Sequence, residues 1–293
     1  MTSIGFIGLG VMGLPMATNL VTSGFDVSGY NRSRARIDAL VQRGGHAAAS
    51  IGEAVHAADV VITMLPDSPD VEQVVAGENG VLASSHPGQL LIDMSTIHPD
   101  VSRRLADAGA AVDVRVLDAP VSGGEAGAIE GALSIMIGGN AEDVAAAEPV
   151  LEAMGRTIVH VGPHGAGQTV KAANQLMVAG HLQLLAEAIV FLRAHGVDLD
   201  GALRVLAGGL AGSTVLERKA PAMLASDFTP GFRLTLHHKD LGIVTAAARA
   251  SGSFIPLGSA VAGLVAALVA RGQGDLDHSA LVTLVEDLSR PAS

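Results

Sequence analysis

The chain has 293 residues, a length that implies two domains or one large one and excludes a single small module. Apolar residues make up 49% of it, yet Trp is absent and Tyr and Phe number only 1 and 6, so the core is aliphatic and aromatic platforms for single-stranded nucleic acid are excluded. A net charge of -11 repels phosphate backbones, so no nucleic-acid partner is expected, and the absence of Cys removes disulfides, thiolate metal sites and a Cys nucleophile and reads as cytoplasmic usage.

From Ser3 to about Val161 short β-branched runs alternate with Ala-rich amphipathic stretches. Strands are predicted at Ile4–Ile7, Val27–Tyr30, Val60–Leu65, Leu90–Asp93, Val114–Asp118, Leu133–Ile137 and Ile158–Val161. Such alternation reads as a doubly wound parallel sheet with helices on both faces. The N-terminus lacks a basic n-region and enters a strand at once, so no signal peptide is expected. After the break Gly162-Pro-His-Gly-Ala-Gly the pattern becomes helical, with helices predicted at Gln168–His195, Asp200–Gly209, Lys239–Ala250, Pro256–Arg271 and His278–Ser289. The expected domains are therefore residues 1–163, α/β, and residues 164–293, all-α. The uncharged stretch Phe254–Ala270 falls short of the roughly 20 apolar residues of a membrane span and carries Pro256, Gly258, Ser259 and Gly263, so a buried or subunit-interface helix is expected and no membrane partner. Apolar helices of this kind need burial, which predicts a homodimer or homotetramer.

Gly8-Leu9-Gly10-Val11-Met12-Gly13 follows the first strand directly and opens a helix, the context of a dinucleotide-binding turn in a Rossmann-type domain. Gly8 permits the tight turn, Gly10 lets backbone approach a pyrophosphate, and Gly13 lets helix and strand pack closely. Beyond the second strand the chain reads Asn31-Arg32-Ser33-Arg34-Ala35-Arg36, and Asn31 stands 18 residues after Gly13, where an acid would mark NAD. With no acid there, Arg32 and Ser33 suit a 2′-phosphate, and NADP is expected over NAD. The alternative is a solvated Arg cluster at a helix start, with Asn31 serving the ribose of NAD. Leu65-Pro66 and Ser95-Thr96 fall at carboxyl ends of strands and are assigned to the adenosine and nicotinamide sides of the cofactor.

With the glycine triad, Asp118-Ala-Pro-Val-Ser-Gly-Gly-Glu-Ala-Gly-Ala-Ile-Glu-Gly131, Gly165-Ala-Gly-Gln-Thr-Val-Lys-Ala-Ala-Asn174 and Lys239-Asp240-Leu241 resemble the β-hydroxyacid dehydrogenase family, related to 3-hydroxyisobutyrate dehydrogenase, over essentially the whole chain. The resemblance implies a nicotinamide-dependent enzyme interconverting small 3-oxo and 3-hydroxy acids. Thr63-Met-Leu-Pro-Asp-Ser-Pro69, Gly77-Glu-Asn-Gly80, Gly208-Gly-Leu-Ala-Gly-Ser-Thr-Val-Leu216, Pro230-Gly-Phe-Arg233 and Asp277-His-Ser-Ala-Leu281 are most similar to members that reduce tartronate semialdehyde to D-glycerate. It also implies that Lys239 lies near nicotinamide and substrate, held by Asp240, and that Phe232 walls the site; an ordinary pair at a helix start is the alternative for Lys239-Asp240.

Ser122-Gly123-Gly124 offers a hydroxyl and exposed N–H groups suited to a small carboxylate substrate, or else is only a turn. Lys171 and Asn174 share a helix face in an apolar helix. An ammonium at Lys171 can stabilise a growing alkoxide and donate the proton that aldehyde reduction needs, or act as base in reverse. Arg could not give up that proton. Ser213, Thr214 or His237 could bond the extra hydroxyl of tartronate semialdehyde, and Ser213 and Thr214 could equally form a helix N-cap. Lys219 matches no motif and is expected at the surface; the 11 His form no metal-binding spacing and no metal is expected. Lys171 and Asn174 are expected over the nicotinamide in an interdomain cleft. Other readings are 3-hydroxyisobutyrate or a 3-hydroxy amino acid as substrate, and a non-catalytic NADP-binding sensor or scaffold.

Overall fold

The β-branched runs of the first half are strands of one mixed sheet in the computed structural model, which describes residues 2–289. In chain order they are β1 (Ser3–Ile7), β2 (Asp26–Tyr30), β3 (His46–Ala47), β4 (Val60–Thr63), β5 (Leu90–Asp93), β6 (Arg115–Asp118), β7 (Val121–Ser122), β8 (Leu133–Gly138) and β9 (Gly155–Gly162). They pair in the order β3-β2-β1-β4-β5-β6-β8, with β7 and β9 also on β8. The chain leaves β1 for β2 on one side and returns to β4 on the other, so the switch point of the winding lies at β1.

Period-two alternation sorts the core. Ile62, Leu90, Ile92 and Leu117 point to one face, and Val61, Leu91 and Val116 to the other, each face packed with its own apolar cluster. Both faces are covered, as a doubly wound sheet requires.

The sheet departs from the expected all-parallel one. β8 runs antiparallel to β6 and β7. The stretch from Ser122 to Leu133 holds only the short helix Gly124–Ile129, too little chain for a crossover that would return the strand parallel. From β8 to β9 the helix Ala141–Glu152 supplies that crossover, and the pair is parallel. β3 and β7 have two residues each and no apolar run to announce them.

Residue contacts divide the chain into two compact units, the first running to Lys171 and the second starting at Ala172. The helix Ala166–Ala194 begins in the first and continues in the second. It is long and apolar enough by length and composition to cross a membrane, with 39% of its most apolar window buried. The second unit packs Leu182, Ile189, Leu234, Leu241, Val265 and Leu268 into an aliphatic core, with half-buried Phe228 against it. Two of its helices differ from expectation. Thr214–Ala225 is an additional helix: the sequence offers its N-cap at Ser213, but Pro221 in its interior breaks the helical pattern. Leu234–Ser251 starts five residues before Lys239, so Lys239-Asp240 lies in the second turn and not at a helix start.

Candidate active site

Parallel register aligns the last residues of several strands: Ile7 beside Tyr30 and Thr63, Thr63 beside Asp93, and Asp93 beside Asp118. Each ladder gains one more rung, from Gly8 N–H to Tyr30 O at 3.0 Å, Met64 N–H to Ile7 O at 2.9 Å, Met94 N–H to Thr63 O at 2.8 Å and Ala119 N–H to Asp93 O at 2.7 Å. The glycine turn, Leu65-Pro66 and Ser95-Thr96 therefore all leave the sheet at its carboxyl end, where open α/β sheets take ligands. β4 ends at Thr63, two residues earlier than expected, which places Leu65 and Pro66 in the loop beyond it.

The glycine turn fits a dinucleotide. Gly8 has φ +102°, and a Cβ there would lie 2.3 Å from Met64 O; a Cβ on Gly13 would lie 1.9 Å from Gly8 O. Above Gly10 the position of a Cβ meets nothing within 4 Å. No side chain caps the helix Gly13–Thr22, and Gly10 and Val11 are exposed before it, so the turn ahead of this helix is open where a pyrophosphate would approach. Leu9 differs from expectation, because its side chain is fully buried in the core and its N–H donates to Asn31 Oδ1 at 3.0 Å. Asn31 thus fastens the turn to the end of β2, and its Nδ2 donates to Ser33 O at 3.3 Å. Arg32 and Ser33 are exposed, Ser33 at the start of the helix Arg34–Val41 with no cap bond from its hydroxyl. Arg34 is paired with Asp38 at 2.9 Å.

Beneath this end of the sheet lie two buried carboxylates. Asp93 Oδ1 accepts from Thr63 Oγ1 at 2.7 Å and Ser95 Oγ at 2.6 Å. Burial pushes its pKa up to about 6 against the pull of those bonds. Ser95 is fully buried, its Oγ accepting from Leu65 N–H at 2.9 Å and its carbonyl accepting from Gln168 Nε2 at 2.8 Å, so it braces the loops rather than facing a cofactor; Thr96 beside it is half-buried. Asp118 accepts from Gly165 N–H at 2.7 Å and Gln168 N–H at 3.0 Å, while burial raises its pKa against these bonds. Gln168 Oε1 accepts from Ile97 N–H at 3.0 Å. The first turn of the helix Ala166–Ala194 is thereby tied to the loops after β5 and β6, and Lys171, 7% exposed, follows one turn later. Ser122 is half-buried at β7 opposite Ser134. Gly123 and Gly124 have φ +139° and +65°, backbone that L side chains rarely adopt, and Gly124 is exposed.

In the second unit Asn174 Nδ2 donates to Gln175 Oε1 at 2.9 Å, Gln175 Nε2 donates to Asp240 Oδ2, and Asp240 Oδ1 lies 2.9 Å from Lys239 Nζ. Asn174 and Lys239 are thus linked through two buried groups, Gln175 and Asp240. Gln175 was missed; its one signal was a second amide beside Asn174 in an apolar helix. Phe232 stands just before the helix Leu234–Ser251, its ring centroid 5.8 Å from His237 and 5.4 Å from His278. His237 is fully buried with Nδ1 3.2 Å from His278 Nδ1, so it offers no exposed atom to a substrate hydroxyl. Ser213 takes the cap role, its Oγ accepting from Leu216 N–H at 3.0 Å at the start of the helix Thr214–Ala225. Lys219 is not the surface residue expected: its Nζ lies 2.9 Å from both oxygens of buried Asp277.

Residues 3–162 match the NAD binding domain of 6-phosphogluconate dehydrogenase, and residues 165–285 match the NAD-binding of NADP-dependent 3-hydroxyisobutyrate dehydrogenase. The chain is 39% identical to 2-hydroxy-3-oxopropionate reductase of Escherichia coli K12, over 97% of each. It is 40% identical to NAD-dependent L-serine dehydrogenase of Pseudomonas aeruginosa, over 98% of each. It superposes on Mycobacterium tuberculosis 3-hydroxyisobutyrate dehydrogenase with L-serine at a TM-score of 0.89 and 36% identity, covering 97% of this chain and 99% of that one. A glycine turn shaped for a dinucleotide, a buried lysine on an anchored helix and these end-to-end matches lead to one conclusion: the chain belongs to the β-hydroxyacid dehydrogenase family of NAD(P)-dependent oxidoreductases acting on CH–OH groups.

Proposed function

We propose that the chain interconverts tartronate semialdehyde and D-glycerate, with NADP(H) as cofactor and Lys171 as general acid and base. The observation that carries the proton-transfer role is a buried lysine, Lys171, set one turn along a helix whose start is fixed by Asp118 and Gln168. Bound nicotinamide supplies or accepts the hydride. In reduction the Lys171 ammonium donates a proton to the carbonyl oxygen as the hydride reaches carbon, and in oxidation neutral Lys171 takes the hydroxyl proton. Ser122 and the N–H groups of Gly123 and Gly124 hold the substrate carboxylate. Asn174 and Phe232 bind the substrate, and Lys239 serves the cofactor side through the chain Lys239-Asp240-Gln175-Asn174.

The cofactor is held by Gly8, Gly10, Val11, Met12 and Gly13 at the pyrophosphate, with Leu9 and Asn31 fixing the turn. Leu65, Pro66 and Thr96 line its other parts. Arg32 and Ser33, exposed just beyond Asn31 at the position where an acid would mark NAD, support NADP. A cytoplasmic homo-oligomer completes the proposal, since Met177, Leu184 and Phe191, 61%, 53% and 62% exposed, form a seven-residue-spaced apolar stripe on the long helix.

A second reading, L-serine or 3-hydroxyisobutyrate as substrate, is favoured by the names of equally similar relatives. The test follows NADPH and NADH absorbance with tartronate semialdehyde, methylmalonate semialdehyde, succinic semialdehyde and glyoxylate. The reverse reaction is run with D- and L-serine, threonine and 3-hydroxyisobutyrate. Highest kcat/KM with tartronate semialdehyde is expected; a preference for another acid moves the assignment to that acid. No turnover with tight cofactor binding makes the chain a cofactor sensor.

A further inference from the structure

The loop Pro230-Gly231-Phe232 and the turn Asp277-His278-Ser279 are stitched together by one carboxylate. Asp277 Oδ2 accepts from the N–H groups of Gly231 and Phe232, each at 3.0 Å. Its Oδ1 accepts from Ser279 N–H at 3.0 Å and Ser279 Oγ at 2.7 Å. Lys219 Nζ, on the helix Thr214–Ala225, approaches both oxygens at 2.9 Å. Two backbone bonds complete the junction, His278 N–H to Phe232 O and Asp277 N–H to Phe228 O, both at 2.9 Å. Asp277 is 2% exposed, so this is a buried charge with its donors converging on it, an arrangement that leaves little freedom to the backbone it holds. The backbone so held belongs to Phe232, whose ring also lies edge-on to His237 and His278.

We propose that Lys219 and Asp277 are positioning residues that fix Phe232 where it meets the substrate, so that this ion pair sets substrate affinity through Phe232. The proposal rests on the reading of Phe232 as a substrate contact. Lys219 carries the more informative variants. Its side chain is 23% exposed, so Lys219→Met keeps the stem and removes only the cation that neutralises Asp277. Lys219→Arg restores a cation with a different reach.

Steady-state kinetics with D-glycerate, L-serine and 3-hydroxyisobutyrate, each with NADP and NAD, provide the test on the full chain. Lys219→Met is expected to raise the KM of the organic acid about tenfold, with kcat within about twofold and the cofactor KM unchanged. Lys219→Arg is expected to recover most of that loss. Phe232→Ala is expected to raise the same KM, and the double variant Phe232→Ala/Lys219→Met to be no worse than Phe232→Ala alone. A raised KM in Phe232→Ala with an unchanged KM in Lys219→Met overturns the positioning role and leaves the Phe232 reading intact. An unchanged KM in Phe232→Ala overturns that reading, and the inference with it. A fall in kcat at constant KM in Lys219→Met means only a smaller folded fraction, and likewise overturns the proposal. Should Lys219→Met fail to fold, Asp277→Asn is judged by the same KM criterion. A wild-type chain inactive on all three acids overturns the proposal together with the function it rests on.

Discussion

Asp118 and Gln168 are bonded across fifty residues of sequence, the Asp118 carboxylate accepting the Gln168 N–H at 3.0 Å together with the Gly165 N–H at 2.7 Å. This is a capping bond in chemical terms, supplied to a helix start by the end of a strand rather than by the preceding residue. A Cβ on Gly138 would lie 2.5 Å from Asp118 Oδ1, so the carboxylate is confined as well as bonded. Asp118→Ala should lower stability by about 1–2 kcal/mol, measured by urea unfolding, since it removes the acceptor for two helix-start N–H groups. It should also reduce kcat, because the helix start then no longer fixes Lys171, while the cofactor KM is unchanged.

Lys171→Ala should lower kcat by about 10²–10⁴-fold, the usual range for a positioned acid or base. Cofactor affinity, measured by titration calorimetry, should stay unchanged. Lys171→Arg should be nearly as slow, because a guanidinium does not release its proton at neutral pH. An active Arg variant would remove the proton-transfer role and leave an electrostatic one.

Arg32 is exposed beside Ser33 and makes no ion pair among the described residues, whereas its neighbour Arg34 is paired with Asp38. If a 2′-phosphate is its partner, Arg32→Ala should weaken NADPH by about tenfold and leave the KM of NADH unchanged. Equal effects on both cofactors would return Arg32 to a general basic field and support the NAD reading.

His278 carries a pH signature. Burial first, then His237 and Lys219, pull its pKa down to about 3, with Asp277 opposing. The ordinary value for histidine is 6.5, so below that pH the unfolded chain binds a proton that the native one refuses. Its contribution is complete above 6.5 and is lost as pH falls toward 3, at about 1.4 kcal/mol per pH unit. Asp93, raised from 3.8 to about 6, acts with the opposite sign, its native form holding a proton that the unfolded one releases, so stability is lost as pH rises through that interval. Subtracting a His278→Asn variant cancels the Asp93 contribution. The stability difference between wild type and variant should shrink steadily from pH 6.5 to 5; a constant difference sinks the assignment.

If the chain forms the proposed homo-oligomer, Leu184→Glu should convert it to a smaller species, followed by size-exclusion chromatography with light scattering. Leu184 lies midway between Met177 and Phe191 on the exposed apolar stripe, and a charge there is costly to bury in an interface. A wild-type chain that elutes as a monomer contradicts the proposed homo-oligomer.

Periodicity alone was enough to identify β1, β5 and the long helix, because a strand buried on both faces leaves a nearly continuous apolar run and a long helix leaves a sustained 3.6-residue pattern. The glycine turn was equally legible, since local backbone geometry demands those glycines wherever the rest of the chain lies. The antiparallel turn of β8, by contrast, depends on how little chain joins it to β7, and two-residue strands have no pattern to read. Lys219 shows the limit most clearly. In sequence it is a lone lysine with no motif; in space it neutralises Asp277, 58 residues away, and shares that carboxylate with the backbone of Phe232. Sequence determines which groups can be charged, cap a helix or approach a phosphate, because those are properties of a residue and its neighbours. Only the tertiary structure decides which buried charge finds which partner, because burial makes an unpaired charge intolerable and the fold alone brings distant partners within reach.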